Sequence, residues 1–136
     1  MTKQTTLFPA LQTYTAALLR EADKIPAERQ ATLEQLAAHI RQKRAANTPV
    51  QLTFICTHNS RRSHISQIWA AAAAAYFGLE GIQTFSGGTE ATAFNPRAVA
   101  AMQRVGFQID NPGGENPHYQ VAFAEKVEPL ECFSKT

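Results

Sequence analysis

The sequence predicts an α/β fold. The expected form is a partial three-layer arrangement: a small, mainly parallel sheet flanked by helices, with a helical hairpin before it and a β-hairpin after it. Three observations carry this. Residues 50–56 form a short apolar run, followed by a polar loop and then by a helix-forming stretch to about Phe77. Residues 82–86 read as a second strand after that helix. Residues 1–48 carry helical periodicity, whereas Tyr119, Val121 and Phe123 alternate as in a strand.

Composition sets the outer limits. The chain has 136 residues, enough for one modest core, with 44% apolar and 18% charged residues. A net charge of +2 without any basic block argues against nucleic acid or a membrane surface as partner. Two cysteines are too few for a disulfide scaffold. The first residues lack the apolar core of a signal peptide, and the alanine-rich run at 70–75 is too short to span a bilayer. The expected location is cytoplasmic.

The elements follow in order. Leu7, Leu11, Tyr14 and Leu18 fit a helical stripe, with Pro9 in the first turn. Asp23-Lys-Ile-Pro26 breaks it, and a second helix presents Leu33, Leu36, Ala37 and Ile40 on one face. Arg41, Lys43 and Arg44 suit that helix's C-terminus. This 1–48 extension reads either as an αα-hairpin covering one side of the sheet or as an arm for dimerisation or partner binding. His39 reads as a surface or boundary residue. The strand 50–56 reads as buried on both faces, and one exposed sheet edge makes a homodimer conceivable. The next helix, capped by Ser63, buries Ile65, Ile68, Trp69, Ala72 and Tyr76 and ends at Gly78. Trp69 is expected in the core, and His64 is expected to face water. Gly87-Gly88 reads as a turn, Asn95 and Pro96 as a helix start, and Gly106 as that helix's end. Residues 111–117 read as a connecting loop, and Leu130 to Ser134 as the return strand of the hairpin.

The loop Cys56-Thr-His-Asn-Ser-Arg-Arg62-Ser63 carries the chemistry. A turn from strand into helix points backbone N–H groups inward, and with the helix N-terminus they make an anion site. Arg62 adds a planar fork that matches two phosphate oxygens. Cys56 at the bottom of this cup would be a thiolate nucleophile. The blander alternative is a buried strand-end cysteine beside solvated arginines. The sequence shows no cluster of His, Cys and carboxylates with metal-ligand spacing, so no metal or other cofactor is expected.

This loop resembles the phosphate loop of the low-molecular-weight protein tyrosine phosphatase superfamily, which includes thioredoxin-coupled arsenate reductases. Phe85-Ser-Gly-Gly-Thr89 is similar to the end of that superfamily's second strand. Asn95-Pro-Arg-Ala98 through Val105-Gly-Phe107 is similar to its second core helix. The resemblance covers about residues 50–110. It implies a phosphatase I-like domain over 49–136, with Cys56 as nucleophile, Arg62 as clamp, and Thr57, His58, Asn59, Ser60, Arg61, Arg62 and Ser63 as phosphate-binding residues. Ser63 would hydrogen-bond the thiolate, and Asn59 would hold the loop's shape. The reaction implied is hydrolysis of a phosphorylated small molecule or phosphotyrosine protein through a cysteinyl-phosphate.

The chain also departs from that pattern. Relatives usually carry glycine where His58 stands. The general acid, an aspartate followed by proline, has no counterpart, since the two aspartates are Asp23 and Asp110. Glu128-Pro129 is a stand-in on paper only. Two more parallel strands and a last helix are also unmatched, so the expected domain is incomplete. Arsenate is the alternative oxyanion, but its reductases need further cysteines. The in-loop position is Arg61 here, and downstream only Cys132 remains, either as a strand residue or as a resolving thiol. A non-catalytic anion-binding module is the third reading.

Overall fold

The computed structural model describes residues 4–136, and the α/β class is as expected. Helix α1, Pro9–Leu19, places proline in its first turn, where the missing N–H is not needed. A single 3-10 turn, Ala22–Lys24, precedes α2, Ala27–Ala45. The two helices pack differently. Leu11 on α1 is fully buried, and Leu7 just before it is nearly so. Helix α2 buries no residue, and Leu33 and Leu36 on its expected inner face are 45% and 39% exposed. The hairpin therefore does not cover a side of the sheet. Helix α1 joins the core, while α2 leans on the body only through half-buried residues such as Ile40 and Arg44.

Strand β1, Val50–Cys56, pairs in parallel with β2, Ile82–Gly88, from Val50 opposite Ile82 to Cys56 opposite Gly88. Helix α3, Arg62–Tyr76, connects them and packs across both. The expectation that both faces of β1 are buried is corrected. Burial alternates, with Gln51, Thr53 and Ile55 exposed and Ile55 at 70%. Phe85, opposite Thr53, is also open. Apolar residues on both faces prepare a strand for two covering layers, and the described residues supply one.

Asn95 caps α4, Pro96–Val105, accepting from the N–H groups of Arg97 at 2.9 Å and Ala98 at 3.4 Å. Gly106 ends it at φ 123°, where a Cβ would stand 2.6 Å from the Leu11 backbone nitrogen. Glycine is thus needed both for the backbone angle and for the approach of α1. Strand β3, Gln108–Asp110, follows at once and was not expected; three residues are too few to display a period. It pairs antiparallel with β4, Tyr119–Ala122, which pairs in turn with β5, Leu130–Cys132, as the predicted hairpin. The core lies between α1, α3, α4 and this second sheet, centred on Leu11, Ile68, Phe94, Met102, Phe107 and Val121. Trp69 packs edge-on against Phe107 with centroids 5.0 Å apart, the core role expected of it. No helix of the described residues is long and apolar enough to cross a membrane.

Candidate functional site

Strand β1 delivers Cys56 to the carboxyl end of the parallel pair, the end where open α/β sheets gather ligands. The loop then turns into α3 through Asn59, which adopts a left-handed φ of 46°. The Asn59 side chain is fully buried and bonded at both ends. Its Nδ2 donates to Ser63 Oγ at 2.6 Å, and its Oδ1 accepts the Lys135 N–H at 2.9 Å. Ser63 Oγ stands 3.1 Å from Cys56 Sγ. The expected capping role of Ser63 is corrected: α3 begins at Arg62, Arg61 is its N-cap, and no side chain caps it. Being one residue inside the helix turns the Ser63 hydroxyl inward to the sulfur.

Burial by itself raises the Cys56 pKa. The Ser63 hydroxyl and the backbone N–H groups of Ser63, Ser60 and Asn59 all hydrogen-bond the sulfur, and together they bring it down from 9.0 to about 6. At pH 7 thiolate then outnumbers thiol by about ten to one. The sulfur opens on a basin of about 600 Å³, walled by His58, Ser60, Arg61, Arg62, Thr92 and Asn95. Cys56, His58, Ser60, Arg61 and Arg62 therefore come together as the sequence suggests. Asn59 and Ser63 lie behind the wall, as supports. The Thr57 carbonyl accepts from the N–H groups of Thr89 and Glu90 and from the Thr89 hydroxyl, which ties the loop to the residues just after β2.

Other residues differ from their sequence reading. Gly88 is no turn but the last residue of β2, and a Cβ there would stand 2.7 Å from Asn59 N and 2.8 Å from the carbonyl oxygens of Cys56 and Thr57. His64 does not face water: it is fully buried, stacked on Phe94 at 4.4 Å, with Nδ1 3.3 Å from Ser86 Oγ. Burial and the Lys135 ammonium hold its pKa down to about 4, so it is neutral at pH 7. Cys132 is fully buried on β5, and burial pushes its thiol up to about 12.

Several contributors were missed. Thr92 donates its hydroxyl to the His58 carbonyl at 3.2 Å, and Glu90 places a carboxylate oxygen 3.5 Å from His58 Nε2. Ser134 Oγ donates to the same His58 carbonyl at 2.9 Å, across 76 positions of sequence. No local pattern signals such contacts. Asn95 was found only as a cap, although it also lines the basin. Among the described residues, no group of three or more His, Cys, Asp and Glu is placed to hold a metal.

No family model matches the chain, and no solved structure matches it. Over part of its length the chain resembles arsenate reductases. Arsenate reductase 2 of Staphylococcus haemolyticus (strain JCSC1435) is 45% identical over 58 residues, 43% of this chain and 41% of that protein. The arsenate reductase of Bacillus subtilis (strain 168) is 45% identical over 58 residues, 43% of this chain and 39% of that one. That of Staphylococcus aureus (strain bovine RF122 / ET3-1) is 39% identical over 64 residues, 47% of this chain and 46% of that one. The chain thus spans less than half the length of these relatives.

Proposed function

We propose that the loop binds a tetrahedral oxyanion and that Cys56 attacks its central atom, with arsenate as the substrate. One observation carries this: three backbone N–H groups and a hydroxyl converge on a sulfur that is ionised at neutral pH, in a basin walled by Arg61 and Arg62. The partial likeness to arsenate reductases supports arsenate over other oxyanions.

The Cys56 thiolate forms a bond to arsenic(V), and a hydroxide leaves as water after taking up a proton. An external thiol then attacks the Cys56 sulfur. The sulfur–arsenic bond breaks, its electron pair stays on arsenic, and arsenite departs. Cys56 is left in a mixed disulfide, which a second external thiol reduces. Cys132 does not suit the role of resolving thiol, because it is buried and its thiol is pushed up to about 12. Arg62 offers its guanidinium to the equatorial oxygens, and the N–H groups of Asn59, Ser60 and Ser63 stabilise the sulfur before attack and as it leaves.

The same cup supports a second reading, hydrolysis of phosphate monoesters through a cysteinyl-phosphate. The burial of Cys132 favours it, since that reaction needs no second thiol. We propose a place in the low-molecular-weight phosphatase superfamily on the loop, the Gly88 contact and the Asn95 cap together.

The test is arsenate-dependent consumption of glutathione by purified protein, beside Cys56→Ser, with p-nitrophenyl phosphate in a parallel assay. Arsenate turnover that disappears in Cys56→Ser supports the first reading. Phosphate-ester turnover alone shifts the assignment to the second. No turnover of either overturns both.

A further inference from the structure

We propose that Ser134 and Lys135 are positioning residues that fix the orientation of the Asn59 amide and, through it, aim the Ser63 hydroxyl proton at Cys56. An amide side chain has one accepting end and one donating end. The Lys135 backbone N–H occupies the accepting end at 2.9 Å, so the NH₂ group faces Ser63 Oγ at 2.6 Å. A hydroxyl oxygen that receives this donor keeps its own proton free, and the Cys56 sulfur 3.1 Å away is its acceptor. With the amide turned over, Ser63 would face a carbonyl oxygen, and its proton would be drawn away from the sulfur. One backbone donor therefore decides where the Ser63 proton points.

That donor is itself held firmly. Ser134 is buried, and its hydroxyl donates to the His58 carbonyl at 2.9 Å while accepting the Thr92 N–H at 2.7 Å. The Asn116 side chain brackets the Ser134 backbone, accepting its N–H at 3.0 Å and donating to its carbonyl at 2.8 Å. The Lys135 carbonyl accepts the Gly88 N–H at 3.0 Å, and the ammonium donates to Ser86 Oγ at 3.1 Å and to the Phe133 carbonyl at 2.9 Å. Segment 133–135 is thus sewn to the loop, to β2 and to the residues after it. The ionisable groups around the sulfur are His58, Arg61 and Arg62 on the loop, Glu90 at its rim, and His64 and Lys135 behind it.

The inference rests on Cys56 being the nucleophile, and its readout is thiol acidity, measured without any oxyanion. The pH dependence of iodoacetamide alkylation at Cys56 is followed by mass spectrometry. Wild type should show a midpoint of about 6. Lys135→Pro removes the N–H and should raise the midpoint by about one unit, a tenfold fall in the thiolate-to-thiol ratio. Lys135→Met keeps the N–H and should shift it by less than about 0.3 unit. Asn59→Gly tolerates the positive φ, lacks the amide and should raise the midpoint by itself; adding Lys135→Pro should then add nothing. An unmoved midpoint in Lys135→Pro, or an equal rise in the Asn59→Gly background, overturns the inference. If Lys135→Pro does not fold, Ser134→Ala decides in its place. A rise that Asn59→Gly abolishes supports the inference, and no rise overturns it. Failure of the functional reading looks different, because the wild-type midpoint would then stand near the ordinary thiol value of about 8.5.

Discussion

Alanine in place of Gly88 tests whether β2 supports the loop by backbone contact. The added methyl would meet Asn59 N at 2.7 Å and the Cys56 and Thr57 carbonyl oxygens at 2.8 Å each. All three are backbone atoms of the strand end and loop, so no side chain can swing aside. Relief requires the loop to move away by more than about half an ångström, in a region packed at crystal-like density. Overpacking of this kind costs about 1–3 kcal/mol. For a domain of this size that is a fall in Tm of about 3–15 °C. The same shift pulls the N–H groups of Asn59 and Ser60 off the sulfur, so the alkylation midpoint of Cys56 should rise. Gly87→Ala is the internal control. Its nearest neighbour is the Thr136 carbonyl carbon at 3.8 Å, an ordinary contact, so its Tm should stay within about 2 °C of wild type. Differential scanning calorimetry of both variants is the assay. Equal behaviour of the two alanines would refute the reasoning.

Three further outcomes are expected. Ser63→Ala removes the hydroxyl 3.1 Å from Cys56; a hydrogen bond to a charged group is worth about 1.5–3 kcal/mol, so the alkylation midpoint should rise by about 1–2 units and the rate at pH 6 should fall about 5–50-fold. His64 titrates at about 4 in the folded chain against about 6.5 unfolded, so the unfolded state binds more protons between those values. Stability should therefore fall by about 3 kcal/mol as pH drops from 6.5 to 4 and lose nothing more to this group below that; urea titrations of wild type and His64→Phe should differ in this window. Asn95→Ala deletes the cap of α4 and should cost about 1 kcal/mol, read by the same titration, while keeping the backbone bond from residue 95 to the Ser60 carbonyl.

Cys56 and its loop were legible because they are local. Strand, polar turn and helix follow one another within residues 50–76, and the positive φ of Asn59 is a property that asparagine tolerates. The cap at Asn95 and the stop at Gly106 were readable for the same reason. The supports behind the loop were not. Gly88 looked like a turn because glycine pairs usually mark one, yet its smallness serves a close approach by chain 29 to 32 positions earlier, from Thr57 back to Cys56 and on to Asn59. His64 looked exposed because a histidine beside a polar loop usually is; the packing of Phe94 over it is a tertiary event. Ser134 and Lys135 carry no motif, and only the return of the chain past β5 brings them to the loop. Helix α2 misled in the opposite direction, since an apolar stripe shows that a face suits burial and not that the described residues bury it.

The measurement that bears most directly on the central claim is protection of Cys56 by oxyanion. Iodoacetamide alkylation is timed at pH 7 with increasing arsenate, and with chloride at matched ionic strength, in wild type and Arg62→Ala. Arsenate held over the sulfur, or bonded to it, blocks the alkylating agent. Saturable slowing by arsenate in wild type, weakened at least tenfold in Arg62→Ala, is the predicted result, since a bidentate guanidinium contact is worth about 1.5–3 kcal/mol. Alkylation at one rate whatever the arsenate concentration would contradict the claim that this loop is an oxyanion site.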